Sequence, residues 1–145
     1  MSPIRTLFLS LASVAFLVAS ENSLAHTDEV LATQKAPNGG ELRVAGPYHL
    51  ELVVATDSRE VRENPIVLHV SDHDGVAIPT AGARATATLL AGKIKATVTL
   101  AADGGNRLKG FAKYASTPDM KVVVTLTLPG QPAEQARFTP LATSR

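Results

Sequence analysis

Pro65-Ile66-Val67-Leu68-His69-Val70-Ser71-Asp72 alternates along its length, with Ile66, Leu68 and Val70 on one face of an extended chain and Val67, His69 and Ser71 on the other. That period of two predicts a half-buried strand, closed by the turn residues Asp72-His73-Asp74-Gly75. Working upstream, residues 57–64 are charged and read as a loop, whereas residues 41–45 and 48–55 are short apolar and β-branched segments separated by Gly46-Pro47. This spacing predicts a hairpin or a bent strand. Downstream, residues 83–90 and 93–100 alternate threonine with aliphatic side chains and are joined by Ala91-Gly92, a second hairpin signal. Alanine propensity over 81–91 would allow a helix, but Gly82, Gly92 and the intervening threonines favour a strand. Asp103-Gly104-Gly105-Asn106 marks a turn, and residues 107–113, 121–128 and 134–139 continue the pattern. Seven or eight short strands follow. Regular turn punctuation without a long helical period predicts an all-β fold, a single antiparallel β-sandwich of immunoglobulin-like type over residues 41–145.

The first 25 residues differ in kind. Arg5 precedes an apolar run from Leu7 to Ala19, followed by Ser23-Leu24-Ala25, the charged, apolar, small-residue order of a secretory signal peptide. The run is shorter than the roughly 20 apolar residues needed to span a hydrocarbon core, so removal is expected, with cleavage before His26 favoured over the earlier Val18-Ala19-Ser20. The expected product carries no membrane span and acts in the periplasm. Residues 26–40 show no period and contain Pro37-Asn38-Gly39-Gly40, which predicts a flexible lead-in to the domain.

Composition narrows the chemistry. The 145-residue chain has no cysteine, two methionines and a formal charge of +1, so disulfides, thiolate ligands and a cysteine nucleophile are excluded. A thioether-rich Cu(I) site is excluded with them. A near-neutral charge and, beyond residue 25, four scattered aromatics, Tyr48, Phe111, Tyr114 and Phe138, give no support to nucleic-acid binding, and these four read as packing residues.

The four histidines, His26, His49, His69 and His73, all lie in the first half of the chain. Strand alternation sets His49 and Glu51 opposite Leu50 and Leu52, on the face expected to meet solvent, and His69 likewise opposite Leu68 and Val70. If the two strands pair, His49, Glu51, His69 and His73 converge, since facing residues have Cβ atoms about 5 Å apart. Imidazole and carboxylate ligands suit Cu(II), Zn(II) or Ni(II), without a closed motif to select among them. His26, as a new amino terminus, would add an amine and a ring nitrogen for Cu(II). Surface histidines without metal are the competing reading. Asp72-His73-Asp74-Gly75 lacks the later ligands of a calcium loop, Gly104-Gly105 opens no helix to hold phosphate, and no serine sits in a nucleophile elbow. No catalytic constellation is present, so an enzyme is not expected.

Pro37-Asn38-Gly39-Gly40, Gly46-Pro47-Tyr48-His49-Leu50-Glu51-Leu52-Val53, Asp72-His73-Asp74-Gly75 and Gly104-Gly105-Asn106-Arg107-Leu108 together resemble small periplasmic proteins associated with heavy-metal efflux systems. They are also similar to the histidine-bearing segment of some efflux adaptor proteins. The resemblance implies a periplasmic β-sandwich that binds or passes on a transition metal, copper or zinc, with His49 and His73 at matching positions and an efflux adaptor or other envelope protein as partner. In that pattern a histidine precedes the glycine pair, where this chain has Asn38. The alternative is a structural or interaction module of the envelope that pairs through an exposed strand and ignores metals.

Overall fold

In the computed structural model, residues 28–32 and 34–143 are described. After one helical turn, α1 (Asp28–Ala32), come eight strands: β1 (Glu41–Ala45), β2 (Tyr48–Val54), β3 (Arg62–Ser71), β4 (Arg84–Ala91), β5 (Ile94–Ala102), β6 (Arg107–Tyr114), β7 (Lys121–Thr127) and β8 (Glu134–Phe138). All pairings are antiparallel, in the order β1-β2-β3-β6-β5-β4-β7-β8. The expected all-β antiparallel class is therefore what the chain forms.

Three hairpin-linked strands, β4, β5 and β6, are flanked by β7 beside β4 and β3 beside β6, so two Greek keys share one centre. β5 joins the two halves by changing partner: Leu100 faces Ala85 of β4, whereas Ala101 faces Lys109 of β6. Such a corner lets one continuous sheet fold over its own core, with features of both sandwich and barrel. Gly110 makes the corner possible. A Cβ built there would lie 2.7 Å from the Thr99 carbonyl oxygen, so only glycine lets β5 cross β6 this closely. At the far ends the sheet nearly closes. The Glu41 carboxylate of β1 accepts from the backbone N–H of Thr139 at 2.8 Å, just beyond β8, and Arg43 Nε donates to the Arg137 carbonyl at 3.2 Å.

Every strand gives its inward residues to one core. Leu50, Leu52, Ile66, Leu68, Val70, Leu89, Leu108, Val124, Leu126 and Phe138 are all buried there. In β3 to β8 alternation in the sequence maps onto burial, whereas β2 is buried on both faces, and β4 is a strand despite its alanines. Between β1 and β2 the loop is only Gly46-Pro47, with Gly46 at φ +56°, the positive φ that a two-residue hairpin of this kind requires.

One boundary departs from the expectation. Residues 62–64, read as loop because they are charged, begin β3, where Glu63 faces Lys113 and Arg62 faces Tyr114. Asn64 is buried and donates to Ser58 Oγ and to the Tyr114 carbonyl, both at 2.8 Å, which fastens the 55–61 loop to the end of β6. Tyr114 completes the joint, receiving the Ala55 N–H at 2.9 Å and donating to the Pro65 carbonyl at 2.7 Å. Of the four aromatics, Tyr48, Tyr114 and Phe138 pack in the core as expected, while Phe111 is exposed.

Candidate metal centre

β2 and β3 are neighbours, and their register sets Glu51 opposite His69 and His49 opposite Ser71. The strand pairing on which convergence of the histidines depends is therefore present. His69, Glu51 and His49 line one cleft of about 230 Å³ together with Lys35, Asn38 and Asn106. His73, brought back by the turn after β3, reaches His49: its Nδ1 lies 3.0 Å from His49 Nε2, with the rings perpendicular and their centroids 4.7 Å apart.

The turn that delivers His73 is built by Asp72. Its Oδ1 accepts the backbone N–H groups of Asp74 at 2.9 Å and Val76 at 2.8 Å, and Gly75 sits at φ +80°. An Asx turn of this kind is what Asp-x-Asp-Gly encodes, and its product is a fixed direction for the His73 side chain. Asn106, from the Gly104-Gly105 turn, donates its side-chain amide to the Val70 carbonyl at 2.9 Å and so ties the neighbouring β5–β6 turn to the end of β3.

The face carrying His49 and Glu51 is not wet, contrary to the expectation from alternation. His49 is 6 % exposed and Glu51 3 % exposed. What covers them is the 34–40 segment, expected as a flexible lead-in but folded down on the sheet. Glu51 Oε1 accepts the N–H groups of Asn38 at 2.8 Å and Gly40 at 2.9 Å, while Oε2 accepts the Asn38 side-chain amide at 2.8 Å. Ala36 of this segment and Leu31 of α1 are themselves buried, and Asp28 accepts the Val44 N–H at 3.0 Å. A buried carboxylate needs such donors, and three satisfy this one.

With both oxygens engaged, Glu51 is an anchor for the cover in this structure. Glu51 was legible from strand alternation, but its partner Asn38 was signalled only by an amide beside two glycines, the residue type and flexibility that a carboxylate-capped turn needs. Among the described residues no three of His, Cys, Asp and Glu are grouped closely enough to hold one ion: His73 meets His49 through its side chain, whereas Glu51 and His69 are paired by strand register. His26 lies outside the described residues, as does the expected signal peptide.

The His49–His73 contact has definite chemistry. For two imidazole nitrogens to stand 3.0 Å apart, one must donate and the other accept, so at least one ring is neutral and carries its lone pair toward its neighbour. That lone pair is the group a transition metal takes. Comparisons with protein-family models, with curated proteins and with solved structures found no match to this chain.

Proposed function

We propose that this chain is a non-enzymatic periplasmic protein that binds a transition metal ion, Cu(II) or Zn(II), through His49 Nε2 and His73 Nδ1, and serves heavy-metal efflux by handling that ion. The observation that carries this reading is the 3.0 Å separation of the two nitrogens. Two nitrogens at about 2.05 Å from a common ion lie about 2.9 Å apart when cis in a square plane and about 3.3 Å apart in a tetrahedron. The pair thus stands at ligand spacing before any ion arrives. To bind, the donating ring moves its proton to its other nitrogen, and a small rotation aims both lone pairs at the ion.

Two protein ligands leave the remaining coordination positions to water or to a partner. Structural sites are closed by four ligands, whereas an open site exchanges what it holds, which suits transfer better than storage. His69 stands one residue pair further along the cleft, within the same mouth that a partner's ligand would enter.

The test is thermal unfolding of the purified protein with Cu(II), Zn(II) and Ni(II), compared with His73→Ala and His69→Ala variants. His73 is only partly buried, so its removal spares the fold. At about 100 times the dissociation constant, an ion stabilises the native state by about 2.7 kcal/mol. The expected result is a shift in Tm that His73→Ala abolishes and His69→Ala reduces. An equal shift in His73→Ala, or none with any ion in the intact protein, refutes the reading.

A second reading, an interaction module of the envelope, is favoured by Phe111. It is 52 % exposed on β6, opposite Pro65, with Lys109 Nζ 5.1 Å from its ring centroid. That reading predicts no effect of metal on stability and loss of partner capture in Phe111→Ser.

A further inference from the structure

The outer face of the other half of the sheet carries a groove of about 470 Å³, a volume within the roughly 300–1,000 Å³ of small-molecule sites. Its composition follows from strand register. Leu90 of β4 faces Lys95 of β5 on one side and Lys121 of β7 on the other, so all three side chains stand on one face as a row. In the next row Thr88 faces Val123, and Val123 faces Arg137 of β8. Leu90 is 45 % exposed, an unusual placement for leucine in mid-sheet, and Thr139, just beyond β8, borders the groove on that side.

The charges are one-sided. Lys95, Lys121 and Arg137 all line the groove, and no carboxylate does. The two ion pairs among the described residues, Arg43 with Glu41 and Arg107 with Asp103, involve none of the three. Lys95 and Lys121 stem from positions two strand spacings apart, roughly 10 Å. Like charges collected on one face repel, and apolar surface left between them stays wet. A ligand with an anionic head and an apolar chain relieves both at once.

We propose that this groove binds a single-chain anionic amphiphile, a long-chain carboxylate, with its head among Lys95, Lys121 and Arg137 and its chain over Leu90 and Val123. A discrete molecule is favoured over an extended polyanion because the groove pairs its cations with an apolar floor of limited length. The long aliphatic stems of the two lysines extend that floor while their ammonium groups meet the carboxylate.

The experiment is calorimetric titration of the purified protein with dodecanoate below its micellar concentration, beside dodecanol and dodecyltrimethylammonium as chain-matched neutral and cationic probes. Saturable one-to-one binding of dodecanoate is expected, at least about ten-fold tighter than either control, a difference of about 1.4 kcal/mol. The Lys121→Gln, Arg137→Gln double variant, altered only in exposed side chains, weakens it by about ten-fold or more at unchanged Tm. Leu90→Asp abolishes it. Equal binding of dodecanol, or undiminished affinity in the double variant, overturns the proposal. So does binding to phosphatidylglycerol vesicles or polyglutamate without binding of dodecanoate, which would assign the face to a membrane or an acidic protein instead.

Discussion

Both carboxylate oxygens of Glu51 hold the 38–40 turn, so replacing that side chain removes three hydrogen bonds made to a charged acceptor. Hydrogen bonds to charged groups contribute about 1.5–3 kcal/mol, and the three here share one anchor rather than adding fully. Glu51→Ala is expected to cost about 1.5–3 kcal/mol in urea unfolding and to raise amide exchange over residues 36–40. Unchanged exchange there would show that the cover is held by α1 instead. Tyr114 offers a cleaner deletion, because phenylalanine keeps its ring. Burial of the phenol raises its pKa, and it keeps its proton to bond Pro65. Tyr114→Phe leaves the Ala55 N–H and the Pro65 carbonyl without their hydroxyl, and a loss of about 1–3 kcal/mol with unchanged fold is the expected outcome. Of the site residues, His49, Glu51 and His69 were legible from alternation and His73 from its turn. Their burial was not, since nothing local to β2 says that residues 34–40 return to cover it.

At the scale of elements, the corner of β5 decides whether the sheet closes. Gly110 is buried, and a methyl group there meets the Thr99 carbonyl and the Leu100 side chain. Backbone cannot rotate away as a side chain can, so β5 and β6 must separate. Gly110→Ala is expected to cost about 1–3 kcal/mol, the range for overpacking, and the denaturation midpoint reads it directly. The same change at Gly104, whose built Cβ meets nothing, strains only its positive φ of 85°. A larger loss at Gly104 than at Gly110 would contradict the corner's importance. Strand identity was legible in the sequence wherever one face is apolar, as in β3, β4 and β7. It failed at residues 62–64, whose charges mimic a loop but which extend β3 because β6 offers a partner along their whole length.

For the molecule as a whole, the seam between β1 and β8 is held by Glu41, which meets Thr139 and Arg43. Burial raises its pKa above the ordinary value of 4.5, outweighing Arg43 and the Thr139 hydrogen bonds, which lower it. A carboxyl with a raised native pKa binds its proton more tightly in the folded state than in the unfolded one. Stability from Glu41 is therefore greatest below 4.5 and is lost as pH rises through the raised pKa. Glu41→Gln has no proton to lose. Compared with this variant, the intact protein is expected to lose stability as pH rises from about 4.5 toward neutrality, measured by urea unfolding at a series of pH values. A difference between the two that stays flat or grows over that range would show that Arg43 governs the seam.

The all-β class, most strand limits and the inward residues were legible from the amino-acid order alone, because alternation and glycine-bearing turns are local properties of the chain. That order also placed His49 on one strand and His69 on another, each on the face opposite its aliphatic neighbours. Long-range packing set β2 beside β3, turned His73 back onto His49, and made Glu51 the anchor of the segment that covers the site. These depend on contacts between residues distant in sequence. Such contacts are set when the Greek keys bury a shared core, and no local period records them.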